Sequence, residues 1–138
     1  MDLALSSDTF AVCRLAGAAD AVSFLTGAMP VFLAVTPDEV SLVCRSDSVP
    51  PGCLAVEDGW SLLRVAGTLD FGLVGVIAGI GRVLADAGIP VFVVSTYLTD
   101  YILVKAERLI GAVDALTLAG HRVDADAGDS APACAASP

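Results

Sequence analysis

Residues 60–123 read WSLLRVAGTLDFGLVGVIAGIGRVLADAGIPVFVVSTYLTDYILVKAERLIGAVDALTLAGHRV, and the order of patterns in this stretch decides the fold. Trp60 to Val65 is dense in apolar residues and reads as a strand ended by Gly67. Asp70 is placed to cap a following helix, since its carboxylate can accept the free N–H groups of a first turn. Leu73, Val76, Ile77, Ile80, Val83, Leu84 and Ala87 then recur at spacings of three and four, one face of a helix. Gly88 supplies the stop and Pro90 follows it. Ile89 to Ser95 is β-branched and aromatic, hence a strand, and Thr96 to Asp100 is polar enough to turn the chain into a second strand, Tyr101 to Lys105. Leu109, Ala112, Val113 and Leu116 mark a second helix that ends at Gly120, and His121 to Val123 can add a last short strand. The order β-α-β-β-α-β predicts a ferredoxin-like α+β unit: an antiparallel sheet with both helices on one face.

Working outward, the first 55 residues repeat this plan incompletely. A strand is expected within Leu3 to Leu15, broken by Ser6, Ser7 and Asp8, and a short helical turn over Asp20 to Leu25. Val31 to Thr36 and Val40 to Cys44 read as a hairpin around Pro37-Asp38-Glu39, and Asp47 to Gly52 as loop. Such a partial unit cannot close a core alone, so it is expected to share a sheet or helix layer with the rest. We therefore expect a partial unit at 1–55, a complete unit at 56–123, and a disordered tail at 124–138, rich in Ala, Asp, Ser and Pro and without apolar period.

Composition excludes several classes. Of 138 residues, 56% are apolar, enough for one substantial core. The uncharged stretch 21–37 is interrupted by Gly27, Pro30 and Pro37, so it is not read as a membrane span of about 20 apolar residues. No basic segment precedes an apolar one at the start, so a cytoplasmic protein is expected. The apolar excess points either to a homodimer surface or to a bias towards Ala and Val. Seven basic residues stand singly against sixteen acidic ones, so no basic stripe is available to follow a nucleic acid. Cys13, Cys44, Cys53 and Cys134 form no CxxC pair, and His121 is the single histidine, so neither a metal nor another cofactor is indicated. Cys13 and Cys44 read as small buried apolar residues on strands. No nucleotide-binding glycine motif and no G-x-S-x-G is present, and Gly79-Ile-Gly81 lies inside the expected helix.

Three segments carry a family resemblance. Thr36-Pro-Asp-Glu-Val-Ser-Leu-Val-Cys44, then Gly59-Trp60 with Val65-Ala-Gly-Thr-Leu-Asp-Phe71 and Gly75, then Ile89-Pro-Val-Phe-Val-Val-Ser-Thr-Tyr-Leu-Thr-Asp-Tyr-Ile-Leu-Val104 resemble bacterial ACT-domain proteins akin to the CASTOR arginine sensors and to the regulatory domains of aspartate kinase. The resemblance covers roughly residues 3 to 123. Val35 stands where that family has Arg, and Leu98 where it has a polar residue. The resemblance implies ferredoxin-like ACT units and a regulatory, non-catalytic role in binding an amino acid.

The candidate ligand residues are Asp70, Gly72, Gly75, Val76, Ile77, Thr96, Tyr97 and Asp100. Free N–H groups at the start of the helix after Asp70 favour a carboxylate. Gly72 and Gly75 either admit a ligand close to the backbone or let the helix pack close to the sheet; the resemblance places Gly75, Val76 and Ile77 at ligand-contacting positions. Asp100 can accept an ammonium or guanidinium group or simply stabilise its turn, with Thr96 and Tyr97 offering backbone and hydroxyl contacts. Thr36, Asp38 and Glu39 read as an ordinary hairpin tip. Trp60 and Phe71 read as core or interface anchors. The alternative to a ligand-binding regulator is an interaction module with no small ligand.

Overall fold

A computed structural model describes residues 1–24 and 27–126. Its elements follow the expected order. Strand β1 (Asp2–Leu15) is followed by a short 3-10 helix (Ala18–Phe24), and β2 (Phe32–Val35) and β3 (Val40–Arg45) form a hairpin. After β4 (Ala55–Val65) come α1 (Val76–Asp86), the hairpin β5 (Phe92–Ser95) and β6 (Asp100–Lys105), α2 (Leu109–Leu118) and β7 (Arg122–Ala125). The last strand extends two residues beyond the expected Val123. The rest of the expected tail, 127–138, lies outside the described residues.

One seven-stranded sheet carries everything, in the order β2-β3-β1-β4-β6-β5, with β7 also on β1. β1 and β4 pair antiparallel along their lengths, and each serves both halves of the chain. The far end of β1, Phe10 to Leu15, pairs with β3, while its start, Asp2 to Leu5, pairs with β7. That last pairing is parallel. The complete C-terminal unit thus borrows β1 as an extra strand between β7 and β4. The fold class is the expected α+β, ferredoxin-like arrangement, with this one parallel pair inserted.

Two irregularities bend the long strands. Between Leu5 and Thr9, four residues of β1 advance against two of β4, Leu63 to Ser61. Between Phe10 and Val12, two residues of β1 face three of β4, Trp60 to Glu57, at a bulge containing Gly59 with φ +78°. The outer face of the bent sheet packs Leu3, Leu63, Val65, Ile102 and Val104 against Ile80 and Leu84 of α1 and Ala112 and Leu116 of α2. On the same face, the N-terminal half packs Ala11, Cys13, Leu15, Leu42 and Cys44 against Ala21 of the 3-10 helix. The opposite face gathers buried Phe10, Val43, Leu62 and Leu103 with half-buried Phe32, Trp60, Phe92 and Tyr101. Phe32 on β2 meets Tyr101 on β6 edge to face at 4.8 Å. In a flat sheet those strands stand about 19 Å apart, so the sheet folds over at its bulges and this aromatic face is the inside of the fold.

The two helix ends show why the glycines at 88 and 120 stop their helices. The Gly88 and Ile89 N–H groups donate to Ala85 and Leu84 carbonyls, both at 2.9 Å, and Gly120 and His121 do the same to Thr117 and Leu116. Both are Schellman closures that require a left-handed residue, here Gly88 at φ +71° and Gly120 at φ +94°.

The expected partial repeat is also visible side by side. Pro30, Val31, Phe32 and Thr36 recur as Pro90, Val91, Phe92 and Thr96. The two hairpin turns share their hydrogen bonds: Thr36 and Thr96 each donate N–H and hydroxyl to the carbonyl three residues on, at 3.0 and 3.2 Å in the first turn and 2.9 and 3.0 Å in the second.

Candidate functional site

The loop from β4 to α1 and the β5–β6 turn face each other across a cavity of about 360 Å³. Its walls include Asp70, Phe71, Leu73, Gly75, Val76 and Ile77 from the loop and first helical turn, and Ser95 to Asp100 from the hairpin. Seven of the eight expected ligand residues line it: Asp70, Gly75, Val76, Ile77, Thr96, Tyr97 and Asp100. Gly72 does not.

One expectation about the loop is corrected. Asp70 does not cap α1, and Leu73 is not part of it. The Asp70 carboxylate instead accepts the Gly72 N–H at 2.6 Å, and the Leu73 N–H donates to the Asp70 carbonyl at 3.0 Å. This tight turn competes for the Asp side chain and holds Leu73 out of the helix, half of its surface exposed. The helix starts at Val76 with Gly75 as its N-cap, at φ +83°, and no side chain caps it. A Cβ at position 75 would meet nothing within 4 Å, so helix–sheet packing does not demand the glycine; its backbone conformation does.

The consequence is electrostatic. Val76, Ile77 and Ala78 line the cavity, and they form the first turn of a helix that no side chain caps, at the positive end of its dipole. Across the cavity, Asp100 accepts the Ser95 hydroxyl at 2.5 Å and is partly buried. Thr99 is 5% exposed and donates its hydroxyl to the Val65 carbonyl at 2.7 Å, pinning the turn to β4. The Leu69 N–H donates to the Leu98 carbonyl at 2.8 Å, so loop and turn are tied directly. Sequence reasoning missed Thr99 and Leu69; the tie runs across 34 residues for Thr99, and nothing local signals it.

The rim is apolar. Phe71 and Tyr97 stack edge to face at 4.9 Å, yet are 76% and 78% exposed, so Phe71 anchors the mouth of the cavity and not the core. Trp60 is held in the folded sheet, its indole N–H donating to the Glu57 carbonyl at 3.1 Å under Lys105 Nζ at 4.7 Å.

Elsewhere, among the described residues, no three His, Cys, Asp or Glu side chains gather as a metal site. No described helix is long and apolar enough to cross a membrane. Cys13 and Cys44 are buried as expected, and Cys53 is half-buried, its thiol donating to the Pro50 carbonyl at 3.1 Å.

Comparison with known proteins agrees with the geometry. Residues 55–117 match the model of the ACT domain family. A crystal structure of an Agrobacterium tumefaciens protein superposes with a TM-score of 0.82 at 29% identity, over 92% of this chain and 94% of that one. A Vibrio cholerae protein of unknown function superposes with a TM-score of 0.66 at 23% identity, over 85% and 88% of the two chains. The regulatory subunit of aspartate kinase from Thermus thermophilus shares the fold with a TM-score of 0.63 at 14% identity, over 86% and 96%. The matched residues run from β4 into α2 and include both walls of the cavity, so the part of the chain that builds the candidate site is similar to an ACT domain.

Proposed function

We propose that this chain is a non-catalytic regulatory protein that binds an amino acid in the cavity between the β4–α1 loop and the β5–β6 turn. The observation that carries the reading is the pairing of opposite polarities across one cavity. The N–H groups at the start of α1 suit an α-carboxylate, and Asp100 opposite suits an α-ammonium. Gly75 keeps the helix start bare, and Thr96 and Tyr97 complete the far wall. The lining contains no histidine, lysine or cysteine, and its Ser95 hydroxyl donates to the Asp100 carboxylate; we read this contact as orienting Asp100 for a ligand's ammonium group. The exposed rim of Phe71, Leu73, Val74, Tyr97 and Leu98 supports a homodimer, because contiguous apolar surface of this kind favours a partner. The same rim favours a second reading, an interaction module without a small ligand. Aspartate kinase regulatory subunits share the fold, and regulation of an enzyme by such a chain in the cytoplasm is consistent with both readings.

A thermal-shift screen against the twenty amino acids decides between them. Ligand at one hundred times its Kd stabilises by about 2.7 kcal/mol, on the order of 10 °C for a chain of this size. One amino acid is expected to raise the melting temperature, and Asp100→Ala is expected to lose that rise. If no amino acid shifts the wild-type protein, the ligand-binding reading fails and the interaction module takes its place.

A further inference from the structure

At the bulge of β4, three elements converge on one peptide bond, Asp58–Gly59. The Asp58 side chain is exposed, and its Oδ1 accepts two donors, the Gly59 N–H at 2.7 Å and the Ser46 hydroxyl at 2.6 Å. Ser46 lies in the short 3-10 turn after β3, 12 residues back in the chain. From the other side, Lys105 at the end of β6 donates its ammonium to the Asp58 backbone carbonyl at 2.6 Å, across 47 residues. The same Nζ lies 3.3 Å from Glu57 Oε2 and 4.7 Å from the centre of the Trp60 ring, which fixes its position. None of these groups lines the cavity described above.

In an Asp-Gly pair the backbone nitrogen can reach the preceding carboxyl readily, because its attack closes a five-membered ring and glycine has no Cβ to obstruct the amide. This pair occurs once in the chain, which has no asparagine, so the sequence offers the reaction one favoured place. A Cβ at position 59 would meet nothing within 4 Å, so packing does not shield the amide. The contacts suit each stage of ring closure. The Gly59 N–H is aimed at the carboxyl that its nitrogen must attack. Lys105, on the Asp58 carbonyl, stabilises the negative charge that the peptide unit takes as the N–H proton leaves. The Ser46 hydroxyl holds Oδ1, where charge develops as Cγ becomes tetrahedral. Oδ2, which neither donor holds, is left to depart.

We propose that Asp58–Gly59 is a self-modification site, at which the fold promotes conversion of aspartate to isoaspartate. With the carboxyl protonated, the Gly59 nitrogen bonds to Asp58 Cγ, the Cγ–Oδ2 bond breaks, and the amide proton leaves with the hydroxyl as one water. A second water then opens the succinimide ring. Attack at the former side-chain carbonyl restores aspartate. Attack at the backbone carbonyl routes the chain through Cγ and frees the α-carboxyl. Lys105, already on that backbone oxygen, polarises the carbonyl for attack and pairs with the carboxylate that results, which favours the isoaspartyl product. The product carries one extra backbone carbon in β4 at its bulge. The site uses none of the residues of the cavity, so it stands or falls independently of the reading above.

The test compares the folded whole chain with a capped peptide of residues 55–62, incubated at the same pH and temperature. Isoaspartate at position 58 is counted by chromatographic separation of the isomeric digest peptides and by labelling with an isoaspartyl methyltransferase. The folded chain is expected to accumulate it at least about tenfold faster than the peptide. Lys105→Met and Ser46→Ala, with folding checked by circular dichroism, are each expected to slow the folded chain by roughly 3- to 10-fold. Asp58→Glu, which would need a six-membered ring, is expected to abolish the signal at 58. The proposal is overturned if the folded chain forms isoaspartate no faster than the peptide, or if both folded variants match the wild-type rate. Should a variant fail to fold, the comparison of chain with peptide decides alone.

Discussion

At the residue scale, Cys13 shows how burial sets chemistry. Its thiol is 1% exposed, and burial, with Cys44 and Cys53 beside it, pushes its pKa from 9.0 up to about 12. Burial also raises that of Cys44. Below pH 9 folded and unfolded chains both hold the Cys13 proton, and the thiol contributes its full share. Above pH 9 the unfolded chain ionises first, and stability falls until the folded thiol ionises near 12. We expect the unfolding free energy from urea titrations to fall between pH 9 and 11, by up to about 1.4 kcal/mol per pH unit for one such thiol. Cys13→Ala should flatten that dependence while lowering stability at pH 7, both readable in denaturation curves taken across the range. The buried cysteines were legible from their apolar neighbours. The fate of Asp70 was not. An Asp ahead of an apolar period reads as a cap, but a glycine two residues on offers a nearer N–H, and the two outcomes differ by a single backbone turn that composition does not encode.

At the element scale, the helix stops, the two hairpins and the strand at 60–65 were legible because each is signalled locally, by spacing, by glycine or by β-branched runs. β1 was only half legible. Its apolar residues mark a strand, but nothing near Leu3 says that it will lie between β4 and β7, more than fifty residues away in sequence. Leu3 is 2% exposed and packs with Leu63, Val65 and Leu116 of the C-terminal half. Leu3→Ala is therefore expected to cost about 2–5 kcal/mol. Hydrogen exchange should rise throughout β7 and α2 in this variant; exchange that rises only in residues 2–5 would show that the borrowed strand is dispensable.

At the scale of the whole molecule, the stretches 1–55 and 56–123 contribute strands to one sheet. β1 and β4 run through both halves, and the aromatic interior takes Phe32 from one and Tyr101 from the other. We expect the two halves to unfold together. Leu42→Ala, in the N-terminal packing, and Leu84→Ala, in the C-terminal packing, are each expected to lower one and the same thermal transition seen by far-ultraviolet circular dichroism and tryptophan fluorescence. Two separate transitions in either variant would refute this coupling. The candidate cavity was legible because both of its walls are short, locally coded turns. Its depth and its apolar rim depend on how those turns are brought face to face, which is a property of the assembled sheet.

The bulge at Gly59 has a last consequence, which concerns phase. A strand alternates its faces, so one extra residue inverts the alternation beyond it. In β4, Leu63 points to the helix-covered face on an odd position, while beyond the bulge Val56, opposite Cys13, points to the same face on an even one. The extra residues in β1 come as a pair and leave its parity unchanged. Insertions and deletions in these two strands are thus counted modulo two: at the first irregularity the chain can lengthen by pairs without turning inside out, and at Gly59 the odd residue is the one that lets a single ribbon serve two cores.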